Sequence, residues 1–288
     1  MAIRRRVLPR GWYPDDPDSL RELVAAWTGG LKQAPSGALA AVAPHAGWVF
    51  SGRTAAAAVS SLRPRPGAES PASPPTVVVI GGHLPPGAPA LAARESAYET
   101  PLGLLSADLE LLSALEAALG PKFPLRPDTD VDNTVEVLLP LVASILPETR
   151  VLWLRAPSDA ASIELGRALA AAAASIGRRV LCLGSTDLTH YGPNYGFSPK
   201  GRGRAAESWV RDTNDRRFIE ALLALDGPEA LVRGEDERSA CSSGAAAAAL
   251  SFALASGASR CELLAYATSL DARRDDSFVG YAALGFFE

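Results

Sequence analysis

Only three of the 288 residues are histidine and three are cysteine. The cysteine count is odd and no CxxC occurs, which argues against a disulfide framework and fits a reducing cytoplasm better. Basic stripes are missing too. The single strong basic run is Arg4–Arg6, and no stripe of interleaved aromatics accompanies it, so nucleic acid is not an expected partner. No apolar stretch follows those arginines, so the start does not read as a secretory signal. The longest apolar runs are alanine-rich and shorter than a membrane span, so no membrane partner is expected. There is no P-loop, no GxGxxG after a strand, no GxS nucleophile elbow and no internal repeat. What is present is a 48% hydrophobic, 21% charged composition of net charge −4, enough for a sizeable core and far from that of a disordered chain.

The pattern along the chain predicts one α/β domain over 1–288, with a central, mostly parallel sheet flanked by helices. Residues 1–36 read as a polar lead-in packed on it, with a short helix around Ser19–Trp27. Gly37–Ala43 is a buried strand ending at Pro44-His45, followed by a helix Ser51–Leu62 capped by Ser51. The proline-rich stretch 63–75 is a surface loop. Thr76–Ile80 is β-branched and apolar, as a central strand should be, and ends in Gly81-Gly82-His83. Further strands are expected near Tyr98 and at Val151–Leu154, Val180–Leu183, Cys261–Thr268 and Phe278–Phe287. Helices are expected at Ala107–Leu119, Asp132–Ile145, an alanine-rich run capped by Ser158 and stopped at Gly177, Ala205–Leu225, Pro228–Arg233 and Ser243–Ala255.

The three histidines, His45, His83 and His190, share an address. Each follows a predicted strand within a glycine-containing loop. In open α/β sheets the ligand site lies beyond the carboxyl ends of the strands, so these imidazoles can converge in one crevice. Imidazole is a common metal ligand and the natural acid/base near neutral pH. Each could equally be an unrelated loop histidine satisfied by backbone groups. Cys241 precedes an apolar helix, where a helix N-terminus stabilises thiolate; it could also be a small buried apolar residue. Cys182 and Cys261 fall inside predicted strands and belong to the core. Asp187 and His190, three apart, can share a cavity wall, with the carboxylate ligating a metal, orienting the imidazole or capping the turn.

Several of these segments resemble one known family. Pro44-His45-Ala46-Gly47-Trp48-Val49-Phe50-Ser51-Gly52, Tyr98-Glu99-Thr100-Pro101-Leu102-Gly103, Asn133-Thr134-Val135-Glu136-Val137, Ser185-Thr186-Asp187-Leu188-Thr189-His190-Tyr191-Gly192 and Val279-Gly280-Tyr281-Ala282-Ala283 are similar to Memo-like motifs, in family order. The resemblance implies a fold shared with class III extradiol ring-cleavage dioxygenases. It places metal ligands at His45, His83 and Cys241, an acid/base at His190, and a further candidate catalytic residue or ligand at Asp187. Asn133 and Glu136 are implied as supporting residues. Asn133 stands where the family pattern has a histidine and cannot titrate. His83 sits in GGHLPP rather than the family's GPNH- or GPSH-like context.

Three functions follow from the resemblance. The first is a metal-binding protein with a His/His/Cys set suited to iron or copper, with zinc also fitting, and with redox or undefined activity. Its partners would be the AMMECR-type and radical-SAM proteins of a three-part system. The second is a non-heme Fe(II) extradiol-type dioxygenase acting on a small aromatic substrate, although Cys241 replaces the carboxylate ligand. The third is a non-enzymatic phosphopeptide-binding module, for which Arg53 and Arg155 are candidate anion contacts. A metal-free thiol enzyme using Cys241 and His190 is a weaker fourth.

Overall fold

The computed structural model describes residues 2–30, 35–67 and 74–288. Four strands form the centre of the larger sheet. In spatial order they are Ala40–Ala43, Val180–Ser185, Thr76–Leu84 and Arg150–Pro157, all mutually parallel. The pattern of short apolar runs followed by helices produces this part, because a parallel pair needs a long crossover connection.

The flanks differ from the mostly parallel expectation. Phe278–Phe287 joins Ala40–Ala43 antiparallel, pairs antiparallel with Arg260–Thr268, and also holds the short strand His190–Tyr191 antiparallel. Only Ser269–Ser277 connects the last two long strands, too little chain for a crossover helix, so the second strand must return beside the first. On the other flank Leu91–Ala92 is antiparallel to Arg150–Pro157 and parallel to Arg126–Pro127. The sheet is therefore mixed. A second, three-stranded sheet joins Ile3–Arg4, Ala97–Thr100 and Gly103–Ser106.

Successive strand residues face opposite layers, as the two-residue period requires. Val77, Val79, Val151 and Trp153 pack on the side of helices Trp48–Ser61 and Leu139–Ile145. Val78, Ile80, Leu152 and Cys182 pack on the side of helices Ala160–Ser175 and Ser243–Ala255. Cys182 is thus core, and Cys261 is half-buried on its strand.

Several local expectations shift. The helix expected over Asp132–Ile145 is broken into Asn133–Glu136 and Leu139–Ile145, because Pro140 cannot donate to the preceding turn and instead opens the second helix. Asp159, not Ser158, caps Ala160–Ser175, its carboxylate accepting from Ala161 N. Gly47, not Ser51, precedes helix Trp48–Ser61, and Ser51 Oγ donates to Ala46 O. The helix expected over Ala205–Leu225 runs from Arg204 to Leu223 through a π-turn at Val210–Asn214. Of the proline-rich stretch, 68–73 lie outside the described residues. Among the described residues no helix is long and apolar enough to cross a membrane.

Candidate metal centre

Three strand ends deliver the site. Ala43 hands the chain to His45, Ser185 hands it to Asp187 and His190, and the Thr76–Leu84 strand carries His83 at its end. The last is not a plain loop. The strand continues to Leu84 with a register shift after Gly81, and His83 takes φ 57°, a left-handed conformation that a residue with a Cβ seldom adopts. The two glycines before it permit close approach. A Cβ on Gly81 would come within 2.1 Å of Thr134 Oγ1, and one on Gly82 within 2.2 Å of Ser242 Cβ. His83 is thereby pressed between the Asp132–Thr134 turn and the Cys241–Ser242 turn.

One nitrogen of each ring is already committed. Ser185 Oγ donates its single proton to Thr134 O, so it can only accept from His45 Nδ1–H, 2.9 Å away. Asp132 Oδ2 accepts from His83 Nδ1–H at 2.9 Å. Both Nε2 atoms are left for the cluster. His45 Nε2 is 3.2 Å from Cys241 Sγ, and one donor atom each from His45, His83 and Cys241 lie within 4.8 Å of one another. The rings of His45 and His83 meet edge to face at 4.9 Å. A metal-binding histidine characteristically donates its second N–H to a carboxylate or other fixed acceptor, and both do so here.

The Asp187–His190 pair lies alongside. Asp187 is buried; its Oδ1 accepts from His45 N at 2.7 Å, and its carbonyl accepts from Cys241 N at 3.1 Å. Its Oδ2 is 3.9 Å from His45 Nε2 and 3.8 Å from His190 Nε2. His190 Nε2 is itself buried without a hydrogen-bond partner among the described residues, an orphan that begs a ligand.

Burial pushes the Cys241 thiol up, but the charge of His45 and the neighbouring imidazoles outweigh it and hold the thiol well below its ordinary range. Burial works against a charge on His83 as well, yet the hydrogen bond to Asp132 and the proximity of Cys241 push its imidazole up to about 10. Burial raises Asp187, with His45 pulling in the other direction. Each shift on His83 and Cys241 favours opposite charges beside each other, the charge pattern that a bound cation would also satisfy.

His45, His83, Asp187 and His190 floor a cavity of about 620 Å³ whose walls include Trp12, Asn133 and Tyr195. Cys241 lines a smaller cavity of about 260 Å³ instead, which His190 borders as well. Asn133 donates to His45 O at 2.9 Å, supporting the site through the backbone. Glu136 is elsewhere. It accepts from Val7 N, Leu8 N and Tyr13 Oη, and so ties down the lead-in rather than the cluster.

Of the two arginines considered for anions, Arg155 is buried against Asp128, Asp130 and Asp132 and has no reach into the cavity. Arg53 is exposed on helix Trp48–Ser61 and does not line it. Arg10 and Arg273 line the cavity instead. The supporting roles of Ser185 and Asp132 were not read from sequence, although both residues sit within or beside the quoted motifs.

A family model described as Memo-like protein matches residues 5–285. A MEMO1 family protein of Methanothermobacter thermautotrophicus is 31% identical over 98% of this chain and 99% of its own length. Another, of Methanopyrus kandleri, is 34% identical over 96% and 95% of the two chains. The crystal structure of an uncharacterized protein from Escherichia coli K12 aligns with a TM-score of 0.50 at 14% identity, covering 85% of this chain and 98% of that one, which speaks to the fold alone.

Proposed function

The chain belongs to the Memo-like protein family, and we propose that it binds one transition-metal ion through His45 Nε2, His83 Nε2 and Cys241 Sγ. The observation that carries this reading is the locked pair of imidazoles. With each Nδ1–H held outward, by Ser185 and by Asp132, two ring nitrogens and a thiol converge within 4.8 Å. Two imidazoles with one thiolate suit iron, copper or zinc. Iron or copper would supply redox chemistry to a molecule coordinated from the cavity.

The residues around the ion do the rest. Asp187 holds the His45 backbone in place. His190 presents Nε2 beside Asp187 as the group that gives or takes a proton at a ligand atom. Asn133 steadies His45 without titrating. Because His83, pushed up to about 10, must give up its second ring proton to ligate, metal uptake should release protons.

A second reading, a non-heme Fe(II) dioxygenase, is favoured by one observation. The carboxylate missing at position 241 has a neighbour in Asp187, whose Oδ2 is 3.9 Å from His45 Nε2 and could complete a two-histidine, one-carboxylate set.

Metal content measured by plasma mass spectrometry on tag-free protein tests the proposal. Near-stoichiometric iron, copper or zinc in the wild type, lost in His45→Ala and Cys241→Ala, is the expected result. No bound metal after reconstitution with each ion in turn overturns it.

A further inference from the structure

A second cavity, of about 580 Å³, adjoins the first and shares Gly11 and Val49 with it. Its walls are aromatic and apolar: Tyr13, Leu23, Trp27 and Trp48. Trp48 is the hub, with Trp27 edge-on at 5.5 Å and Tyr13 tilted at 6.0 Å. Two of these aromatics have their polar atoms turned inward and spent. Tyr13 Oη donates to Glu136, and Trp48 Nε1 donates to Val137 O at 3.0 Å. What they leave to the cleft is apolar ring face. The one charged lining residue, Asp15, is paired with Arg6 and Arg10. At the boundary between the cavities Val49 is 70% exposed, and Phe50 beside it faces the first cavity at 37% exposure. Together Val49 and Phe50 present contiguous apolar surface between a polar cluster and an aromatic cleft, a ridge over which a ligand could lie.

We propose that the two cavities form one trough, which takes an amphipathic small molecule. An oxygen-donor head would reach the His45–His83–Cys241 cluster, and an apolar arm would cross Val49 into the cleft between Trp27 and Tyr13. A compact ring confined to the first cavity would leave the cleft wet, whereas an alkyl or aryl arm removes both its own surface and the exposed part of the half-buried Trp27 from water. The head's seat rests on the metal reading; the arm's seat does not.

The test is a homologous series of 4-methyl-, 4-butyl- and 4-hexylcatechol, titrated by calorimetry into iron-reconstituted protein and into metal-free protein. Affinity should rise with chain length, approaching about fourfold for each methylene that is fully buried, in both forms. The gradient should flatten in Trp27→Ala and in Val49→Glu. Val49 is exposed, so its variant carries the test if Trp27→Ala does not fold. A flat series in the wild type, or a gradient that survives in the folded variants, overturns the trough. The metal reading fails separately, when reconstituted wild type holds no iron; the gradient in metal-free protein then still decides for or against the cleft.

Discussion

Two charged clusters lie side by side in this protein, and only one is left with something to do. In the first, Arg155 is spent: Nε donates to Gly82 O at 2.9 Å, Nη1 reaches Asp130 at 2.9 Å and Asp128 at 3.4 Å, and Nη2 lies 3.5 Å from Asp132. Asp128 also accepts from Trp153 Nε1 at 2.8 Å. In the second, His45, His83 and Cys241 aim their remaining donor atoms at one another, and His190 Nε2 beside them has no partner among the described residues. The three aspartates in alternate positions hold more charge, yet a guanidinium already occupies the place a cation would take. A candidate site is recognised by unspent donors rather than by charge density.

The largest expected effect breaks the closed cluster. Arg155→Ala leaves buried Asp128 with only the more distant Arg4, 3.9 Å away, among the described residues, and breaking a buried ion pair costs up to about 3–5 kcal/mol. Chemical denaturation should show that loss at neutral pH, while Cys241→Ala in metal-free protein should change the midpoint far less and abolish metal uptake. Equal destabilisation by the two variants would erase the distinction between the clusters.

Asp215 shows what a buried carboxylate does with no cation among the described residues within salt-bridge distance. It accepts from Thr189 N at 3.0 Å and Tyr266 Oη at 2.7 Å, and burial outweighs these bonds to push it from 3.8 up to about 6. Between those values the folded chain holds a proton that the unfolded chain has lost, so this residue makes stability fall as pH rises through that window. The penalty is complete above about pH 6 and relieved as pH drops toward 3.8. Its size is about 3 kcal/mol, as an order of magnitude. Comparing metal-free Asp215→Asn with wild type from pH 4 to 7 should show this slope only in the wild type. An identical slope in both assigns it to other groups.

How far the site could be read in advance follows from the same contrast. The meeting of the histidines is legible because parallel strands with apolar runs place their carboxyl ends on one edge, and each histidine follows an apolar strand run; Cys241, which before a helix reads equally as a small buried residue, joins the set only through the resemblance to Memo-like motifs. The central parallel strands and helix Ser243–Ala255 are legible for the same local reasons. The supports are not. Glu136 tethers Val7 and Leu8 across more than a hundred residues, and no local pattern encodes that pairing. Arg155 lies inside an apolar strand and reads as a free cation until its carboxylates are located. The positive φ of His83 arises because the Gly81-Gly82 segment must clear Thr134 and Ser242, a tertiary demand on residues far apart in the chain. The antiparallel pairing of the last two long strands follows from their short connection, whereas that of Phe278–Phe287 with Ala40–Ala43 joins segments far apart in the chain and has no local signal.

The smallest effect falls on the residue that belongs to both clusters. Asp132 Oδ1 caps Thr134 N at 2.9 Å, while Oδ2 accepts from His83 Nδ1–H at 2.9 Å and faces Arg155. Asp132→Asn can keep the cap through its carbonyl, but an amide N–H turned toward His83 cannot accept the ring proton, so the ring loses its lock. Removing such a support weakens metal binding by about 10–100-fold. A second effect opposes it at neutral pH, because Asp132 helps push His83 up to about 10, and a metal must displace that proton. The two separate in a pH series of competition titrations against a chelating dye. Wild-type affinity should climb until His83 is deprotonated near pH 10, whereas the variant should level off at lower pH and lie 10–100-fold beneath the wild type at its plateau. Superimposable curves would mean that His83 owes neither its orientation nor its basicity to Asp132, and that the two clusters are neighbours without being coupled.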